Sequence, residues 1–323
     1  LDYYWERRKD ILIQRSSLPS MAGFDASIYA NMGEMDNKGV DANLEYQTRI
    51  GNKVGLRLFG NLTYSKNKIV FRDEPAMQYA YQKSEGTRYG EFYGYIAEGY
   101  FQSEEEIKKS PRQMRELAPG DIKYKDLNDD GVIDANDQCY LGKSWFPSWS
   151  YGMGFNINYH NFDLALFFQG VSDVSIMANG GSIDTGNGDW GASGVGIVPF
   201  TGMGLNPSNV ITKALDRWTA DNPRADAWYP RMTANATTND NNYVNSTHWL
   251  KDGSYLRLKQ ASLGYTLENK KLMDKGIEYL YFYLSGQNLL TFSKFKLWDP
   301  ELGSNGAKYP LSRMVTLGMR VSF

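Results

Sequence analysis

The feature of this sequence that most limits its fold is an alternation of apolar and polar residues with a period of two, repeated in several separate segments. In segment 40–50 the even positions are mostly apolar and the odd positions are all polar. A period of two places successive side chains on opposite faces of a β-strand. Each segment is therefore predicted to be a strand with one apolar and one polar face. The same pattern occurs in segments 56–65, 151–159, 162–169 and 261–267.

The connections between these segments alternate strictly between short and long. The short ones are 51–52, 160–161 and 268–276, and the long ones are 15–38, 67–148, 171–253 and 292–310. A β-sandwich also has strands with one apolar face, so the alternation of residues alone does not separate it from a membrane barrel. Alternating loop lengths are typical of a barrel with tight periplasmic turns and large extracellular loops.

We therefore predict an all-β fold, a transmembrane antiparallel β-barrel. About eight strands lie in this chain, the first near 3–13 and the last at 311–323. Segments 67–148 and 171–253 are predicted to be large extracellular loops. The pattern slips near Gln260, which indicates a β-bulge.

The composition excludes several other classes of protein. The chain combines 14% aromatic residues with 32 glycines, which favours twisted antiparallel sheet with aromatic girdles. No apolar run approaches the ~18 residues of a transmembrane helix, and the mean hydropathy is −0.52. The net charge of −2, without a basic stripe, gives no indication of a nucleic-acid partner. One cysteine and two histidines exclude a disulfide framework and a multi-histidine metal centre.

We find no motif that indicates catalysis, and we predict that the protein is not an enzyme. A Gly-x-Ser-x-Gly elbow is absent, and both histidines lie in connections. Segment 186–191 fits the dinucleotide-binding string of glycines but has no strand before it, so we interpret it as loop. A short helix is predicted from Ser208 to Trp218. Several tryptophans in the connections could stack on sugar rings or be buried in packed loops: Trp145, Trp149, Trp190, Trp228 and Trp249.

Segment 126–137 matches the twelve-residue calcium-binding loop position by position. Gly131 occupies the sharp turn at position 6, and Asp137 closes the loop where glutamate is usual. Because no pair of flanking helices is evident, we predict a structural calcium site, with magnesium as the alternative ion. The expected ligands at positions 1, 3, 5, 7, 9 and 12 are Asp126, Asn128, Asp130, Val132 (through its carbonyl), Asp134 and Asp137.

The C-terminal segment 315–323 alternates and ends on Phe323, like the signal read by the outer-membrane assembly machinery. Together with a series of motifs that follow one another in the order typical of the family, this segment makes the chain resemble the SusC/RagA type of TonB-dependent transporter of Bacteroidota. The motifs are Tyr-Gly-Tyr at 93–95, Glu-Gly-Tyr-Phe-Gln at 98–102, Pro-Gly-Asp-Ile-Lys-Tyr at 119–124, Arg-Trp-Thr at 217–219, Asp-Asn-Pro at 221–223, Tyr-Pro-Arg at 229–231, Ser-Tyr-Leu-Arg-Leu-Lys at 254–259, Leu-Gly-Tyr at 263–265, Gly-Gln-Asn-Leu at 286–289 and Asp-Pro-Glu at 299–301.

The resemblance implies that residues 1–323 are the C-terminal part of a 22-stranded barrel with a plug domain. It implies a multi-pass protein in the outer membrane of a Gram-negative bacterium, and TonB-dependent import of glycan or peptide fragments. The implied partners are a SusD-like surface lipoprotein, TonB, and the plug and remaining barrel of the same transporter. Because the chain begins at a strand-like segment without a signal peptide, we expect it to be part of a longer protein.

Two alternatives belong to other classes. One is a self-contained eight-stranded barrel that acts as an adhesin or scaffold, since eight strands are enough to close on themselves. The other is a secreted, calcium-binding β-sandwich that binds carbohydrate. The alternating loop lengths and the C-terminal segment disfavour the sandwich.

Overall fold

The computed structural model describes residues 1–17, 28–51, 53–179, 211–233, 241–306 and 308–323. Over these ranges the chain is mostly antiparallel β-structure. In chain order the strands are β1 (Asp2–Gln14), β2 (Tyr29–Ile50), β3 (Val54–Phe71), β4 (Glu91–Gly94), β5 (Ala97–Tyr100), β6 (Ile122–Tyr124), β7 (Cys139–Ser144), β8 (Trp149–Tyr159), β9 (Phe162–Ser172), β10 (Ser175–Met177), β11 (Leu250–Asp252), β12 (Tyr255–Leu267), β13 (Tyr279–Ser293) and β14 (Met314–Ser322).

Eight of these strands form one antiparallel sheet, in the order β1-β2-β3-β8-β9-β12-β13-β14. The predicted number of long strands is therefore confirmed. Each short connection joins neighbouring strands at one end of the sheet, which we call the turn side. The strand ends that the long connections join all lie at the other end, the loop side. Within the described ranges no ladder joins β1 to β14, so the sheet is open.

Two strands are longer than the alternation indicated. β2 has 22 residues and β3 has 18, so each extends further to the loop side than the predicted boundaries at residues 38 and 67. Polar pairs connect the β2 extension to both neighbouring strands: Arg7 donates to Asp36 at 2.6 Å, and Ser65 donates to Asn37 at 3.0 Å. Apolar and polar residues do not alternate regularly in either extension, so the period of two does not mark them.

The register across the sheet keeps the two faces separate. In one row an apolar side chain from each of six neighbouring strands stands on the same face. In the next row, one residue along, the other face carries mainly polar side chains. The apolar row is Leu56, Ile157, Leu164, Leu263, Leu284 and Leu317, and the polar row is Arg57, Asn156, Ala165, Ser262, Ser285 and Thr316.

The predicted bulge in β12 is confirmed. The pairing of β12 shifts between Leu258 and Gln260 relative to both of its neighbours, β9 and β13. A bulge inserts one residue and locally reverses which face the following side chains occupy. It thereby brings Leu256 and Leu258 onto the same face as Leu263.

The loops contain the remaining structure. Three two-stranded sheets pair β4 with β7, β5 with β6, and β10 with β11. Short helices span Glu104–Lys109 and Lys270–Met273, and single 3-10 turns span Ala80–Gln82, Ala135–Asp137, Thr212–Leu215 and Pro300–Leu302. Of the helix predicted from Ser208 to Trp218, only the turn at Thr212–Leu215 is observed. Ser208, Trp190 and segment 186–191 lie outside the described residues. None of the helices in the described ranges is long and apolar enough to cross a membrane.

Candidate functional site

One face of the large sheet exposes a continuous apolar band. Leu44 and Leu317, for example, are 74% and 81% exposed. Aromatic side chains bound the band at both ends. On the loop side Trp149 packs against Tyr64 with 4.4 Å between the ring centroids. On the turn side one aromatic residue from each of four consecutive strands forms a row, namely Tyr159, Phe162, Tyr265 and Phe282.

The height of this band can be derived from β8, which has 11 residues and ends in an aromatic residue at each side. At about 3.4 Å per residue the strand is about 34 Å long. Membrane barrel strands tilt by about 40°, which reduces the height along the membrane normal to about 26 Å. Outer-membrane barrels have an apolar band of about 25 Å between aromatic girdles. The exposed apolar face, the polar opposite face and the aromatic ends define part of a transmembrane β-barrel.

The connections on the loop side pack together into one body, which we call the loop cap (described residues 72–148, 173–179, 211–233, 241–254 and 294–306). Its hydrophobic core surrounds Trp249, which is fully buried. Trp228, Tyr229 and Tyr243 all contact the Trp249 ring, with centroid distances of 5.3–5.7 Å. The other core members come from both large loops: Tyr95, Tyr100, Ile122, Tyr124, Ile133, Met177, Ala214, Trp218 and Ala227.

Two fully buried asparagines connect the two large loops. The Asn241 amide nitrogen donates to the Ile122 carbonyl at 3.0 Å, and the Asn242 side-chain oxygen accepts from the Ile122 amide at 2.9 Å. The Trp249 indole N–H donates to the Asn242 carbonyl at 2.7 Å. Asn241 and Asn242 thereby bond to both backbone polar groups of Ile122, which lies in β6 opposite Tyr100 of β5. These buried polar groups are satisfied by each other, so they hold the loops in one arrangement.

Two ion pairs fix further segments of the loop cap. Asp121 is fully buried and accepts from the Arg231 Nη2 at 2.9 Å and from the Asn242 side chain at 2.8 Å. Arg257 lies on β12 with a 1% exposed side chain, and its Nη2 donates to both carboxylate oxygens of Asp299 at 2.6 and 2.8 Å. Arg257 Nη1 also forms an ion-pair contact of 2.8 Å with Glu301, without hydrogen-bond geometry.

The calcium-type loop forms a tight turn in the loop cap. The Asp126 carboxylate accepts from the amides of Asp129 and Gly131, and the Asp137 carboxylate accepts from those of Leu127 and Asp134. Positive φ angles of 58° at Asp129 and 82° at Gly131 produce the turn.

The other predicted ligands also make bonds within the loop. Asn128 donates to the Asp130 carboxylate at 2.8 Å, and Asp130 also accepts from the Val132 amide at 2.8 Å. Asp134 accepts from the Asn136 amide at 2.7 Å. In the described part of the chain, no three His, Cys, Asp or Glu side chains are grouped to hold a metal ion. The calcium site thus stays a prediction that depends on the spacing and the turn.

Burial changes the pKa of several groups in the loop cap, including His248 and Cys139. It lowers the pKa of His248 to about 4, together with the charge of Lys251. The ring is therefore neutral at neutral pH, and its Nε2 lies 3.2 Å from the Trp228 carbonyl and 3.3 Å from the Tyr100 hydroxyl. Burial also raises the pKa of the Cys139 thiol, which keeps it protonated at neutral pH.

The tryptophans singled out in the sequence have different surroundings. Trp249 is fully buried, Trp228 is partly buried, and Trp145 and Trp149 are 42% and 38% exposed. Trp149 belongs to the aromatic boundary of the membrane band and not to a loop. Sequence reasoning missed the lysines that converge beside Trp228, at positions 213, 251, 294 and 296. The signal was weak, because only the Lys-Phe-Lys string at 294–296 places two of them together.

Known proteins resemble this chain over its whole length. No family model matches it. TonB-dependent receptor P3 of Formosa agariphila is 27% identical over 350 residues, covering 100% of this chain and 32% of the receptor. TonB-dependent receptor SusC of Bacteroides thetaiotaomicron is 22% identical over 336 residues, covering 100% of this chain and 30% of the receptor. The chain spans about a third of the length of the curated relatives it matches.

The fold has a match among solved structures. The RagAB peptide importer in its closed-closed state aligns with a TM-score of 0.70 at 23% identity, over 99% of this chain and 33% of the matched chain. The open-open state of the same importer gives a TM-score of 0.69. The resemblance of this chain to part of a SusC/RagA-type TonB-dependent transporter, indicated by its motifs, is thereby confirmed.

Proposed function

We propose that this chain forms part of the barrel and the loop cap of a transporter that imports glycan fragments across the outer membrane in a TonB-dependent way. The observation that carries the proposal is the match over the whole chain to TonB-dependent receptors, joined to an apolar band of membrane height. Peptide fragments are the second candidate substrate, because RagAB is described as a peptide importer.

The open sheet supports an incomplete barrel over a self-contained one. β1 and β14 lie at opposite edges, and within the described ranges no strand pairs with the outer side of either one. Unpaired edges are unfavourable inside a bilayer, where each backbone group needs a hydrogen bond. We propose that further strands of the same protein pair with both edges, and that a plug fills the wide barrel that results.

We propose that the loop cap faces the outside of the cell and carries the docking surface for a SusD-like lipoprotein. The cap has its own hydrophobic core and a satisfied polar network, so it presents a fixed surface. A fixed surface lowers the ordering cost of binding a partner or a substrate.

Uptake by cells that produce the full-length protein tests the proposal. Labelled oligosaccharides are supplied with and without a protonophore, and the tagged barrel is purified in mild detergent. Uptake that stops with the protonophore, and copurification of a surface lipoprotein, are the expected results. Energy-independent uptake would indicate a passive channel. Purification of the tagged barrel without a lipoprotein would contradict the proposed SusD-like partner.

The calcium-type loop is proposed to hold a structural Ca²⁺ through the predicted ligands, with Mg²⁺ as the alternative. The donors are all oxygens, which both ions prefer. The test is the ion content of the purified full-length protein with Asp126→Asn and Asp137→Asn combined. Asp129→Asn is the matched control, because Asp129 occupies a non-ligand position and asparagine tolerates its positive φ. Equal calcium content in the wild-type protein, the double variant and the control would contradict the site.

A further inference from the structure

An open cavity of about 770 Å³ lies in the loop cap. Three separate stretches line it, namely 211–216, 251–252 and 294–297, together with Trp228. Two apolar residues of the lining, Phe295 and Leu297, come from the segment that follows β13. Its volume is in the range of a site for a ligand of several rings.

Four lysines surround this cavity and two aspartates partly compensate them. Lys213 pairs with Asp216 at 2.7 Å, and Lys294 has only a distant contact of 3.9 Å with Asp252. Four ammonium groups and two carboxylates give the lining a net formal charge of +2. The cavity therefore attracts anions.

Lys251 is half-buried at the cavity and contacts neutral groups. Its Nζ donates to the His248 carbonyl at 2.6 Å and stands 5.3 Å from the centroid of the Trp228 ring. It forms no ion pair with a carboxylate among the described residues. Burial and the neighbouring charge of Lys213 lower the pKa of Lys251. Two ammonium groups that repel each other beside a cavity are stabilised when an anion binds between them.

We propose that this cavity binds an acid group of an oligosaccharide, a carboxylate or a sulfate ester, between Lys213 and Lys251. The inference rests on the proposed function, because it narrows the imported glycan fragments to acidic ones. Several lysines around one cavity match a chain of sugars that carries acid groups at intervals. The indole ring of Trp228, which is half-buried at the cavity, suits the apolar face of a sugar ring. An acidic peptide is the competing occupant.

The experiment measures binding to the purified full-length transporter, separately from uptake. The probes are a tetramer of galacturonic acid, a sulfated galactose tetramer, a neutral galactose tetramer and tetraglutamate. We expect one of the two acidic sugars to bind, and its affinity to fall with added salt. The carboxylate and sulfate arms identify which acid group is recognised. Equal binding of the neutral tetramer, or binding of tetraglutamate alone, would overturn the proposal.

Lys251→Met tests the site directly, and we expect it to weaken binding of the acidic sugar about 10-fold. Lys296→Met is the second variant, because Lys296 is exposed and its loss leaves the packing of the loop cap unchanged. Lys109→Met removes the same charge from an exposed position outside the cavity and serves as the control. Equal affinity in all the variants would refute the site. If the wild-type transporter binds the acidic sugar but shows no energised uptake of it, the result would instead count against the proposed transport.

Discussion

Replacing Arg257 by alanine is expected to release the segment around Asp299 from the sheet without unfolding the sheet. The Arg257 side chain is 1% exposed, and that of Asp299 is 18% exposed. Removing one partner of a fully buried ion pair costs about 3–5 kcal/mol. Because Asp299 and Glu301 keep some contact with water, we expect about 3 kcal/mol, or about a 150-fold increase in local opening.

The 3-10 turn Pro300–Leu302 reports this opening. The amide of Leu302 donates to the Asp299 carbonyl at 3.0 Å, and the amide of Gly303 donates to the Pro300 carbonyl at 3.1 Å. Hydrogen exchange of a peptide covering 299–306, followed by mass spectrometry, measures how often these bonds break. Exchange in β12 and β13 is expected to stay slow, because their ladders are intact.

The matched control is Arg57→Ala. Arg57 donates to Glu45 at 2.7 Å, but the two side chains are 42% and 54% exposed. Exposed pairs contribute little, so we expect no measurable change in exchange. Equal effects of the two substitutions, or faster exchange throughout the sheet in Arg257→Ala, would refute the reasoning from burial.

Three further substitutions test the loop cap. Trp249→Ala removes the fully buried ring at the centre of the cap and should destabilise the cap by about 3–5 kcal/mol. We expect the cap to become sensitive to protease while the heat resistance of the barrel stays the same, and unchanged protease resistance of the cap would contradict the prediction. Gly120→Ala should destabilise the cap by about 2 kcal/mol, because Gly120 has a φ of 91° and a Cβ there would meet the Trp218 ring; thermal melting measures it, and a wild-type melt would contradict the strain. His248→Gln tests the pH dependence of the cap. The pKa of His248 is about 4 in the folded cap and about 6.5 when unfolded, so between these pH values the unfolded form binds more protons. The free energy of unfolding of the cap should therefore be highest above pH 6.5 and fall by about 2–3 kcal/mol as the pH falls to 4. Denaturant titrations should show that His248→Gln removes this fall, and a fall that persists in the variant would assign it to other groups.

The strands could be predicted from the sequence because their signal is local. A period of two is visible within ten residues, and the shift near Gln260 appears as a break in that period. The extensions of β2 and β3 lack a regular alternation and were missed for the same reason. Their side chains are paired across strands, as Arg7 is with Asp36, and a single segment contains no trace of that pairing.

The loop cap could not be predicted, because its contacts join positions far apart in the chain. The amide of Ile122 bonds to the side chain of Asn242, 120 residues later. In the sequence, Asn241 and Asn242 belong to a polar Asn-Asp-Asn-Asn string at 239–242, which is typical of a solvated loop. The lysines of the cavity likewise come from three segments, and only the fold brings them together.

The apolar residues of the sheet and those of the loop cap have opposite surroundings. In the sheet, leucines such as Leu284 and Leu317 remain exposed, and a bilayer supplies the apolar surroundings that they lack. In the loop cap, Trp249 and its neighbours form a core like that of a water-soluble domain. The two parts therefore depend on different solvents, and direct links such as Arg257 to Asp299 are needed to fix one against the other. Arg257 can serve as such a link because it lies on β12 at the loop side, where the polar face of the sheet meets the cap.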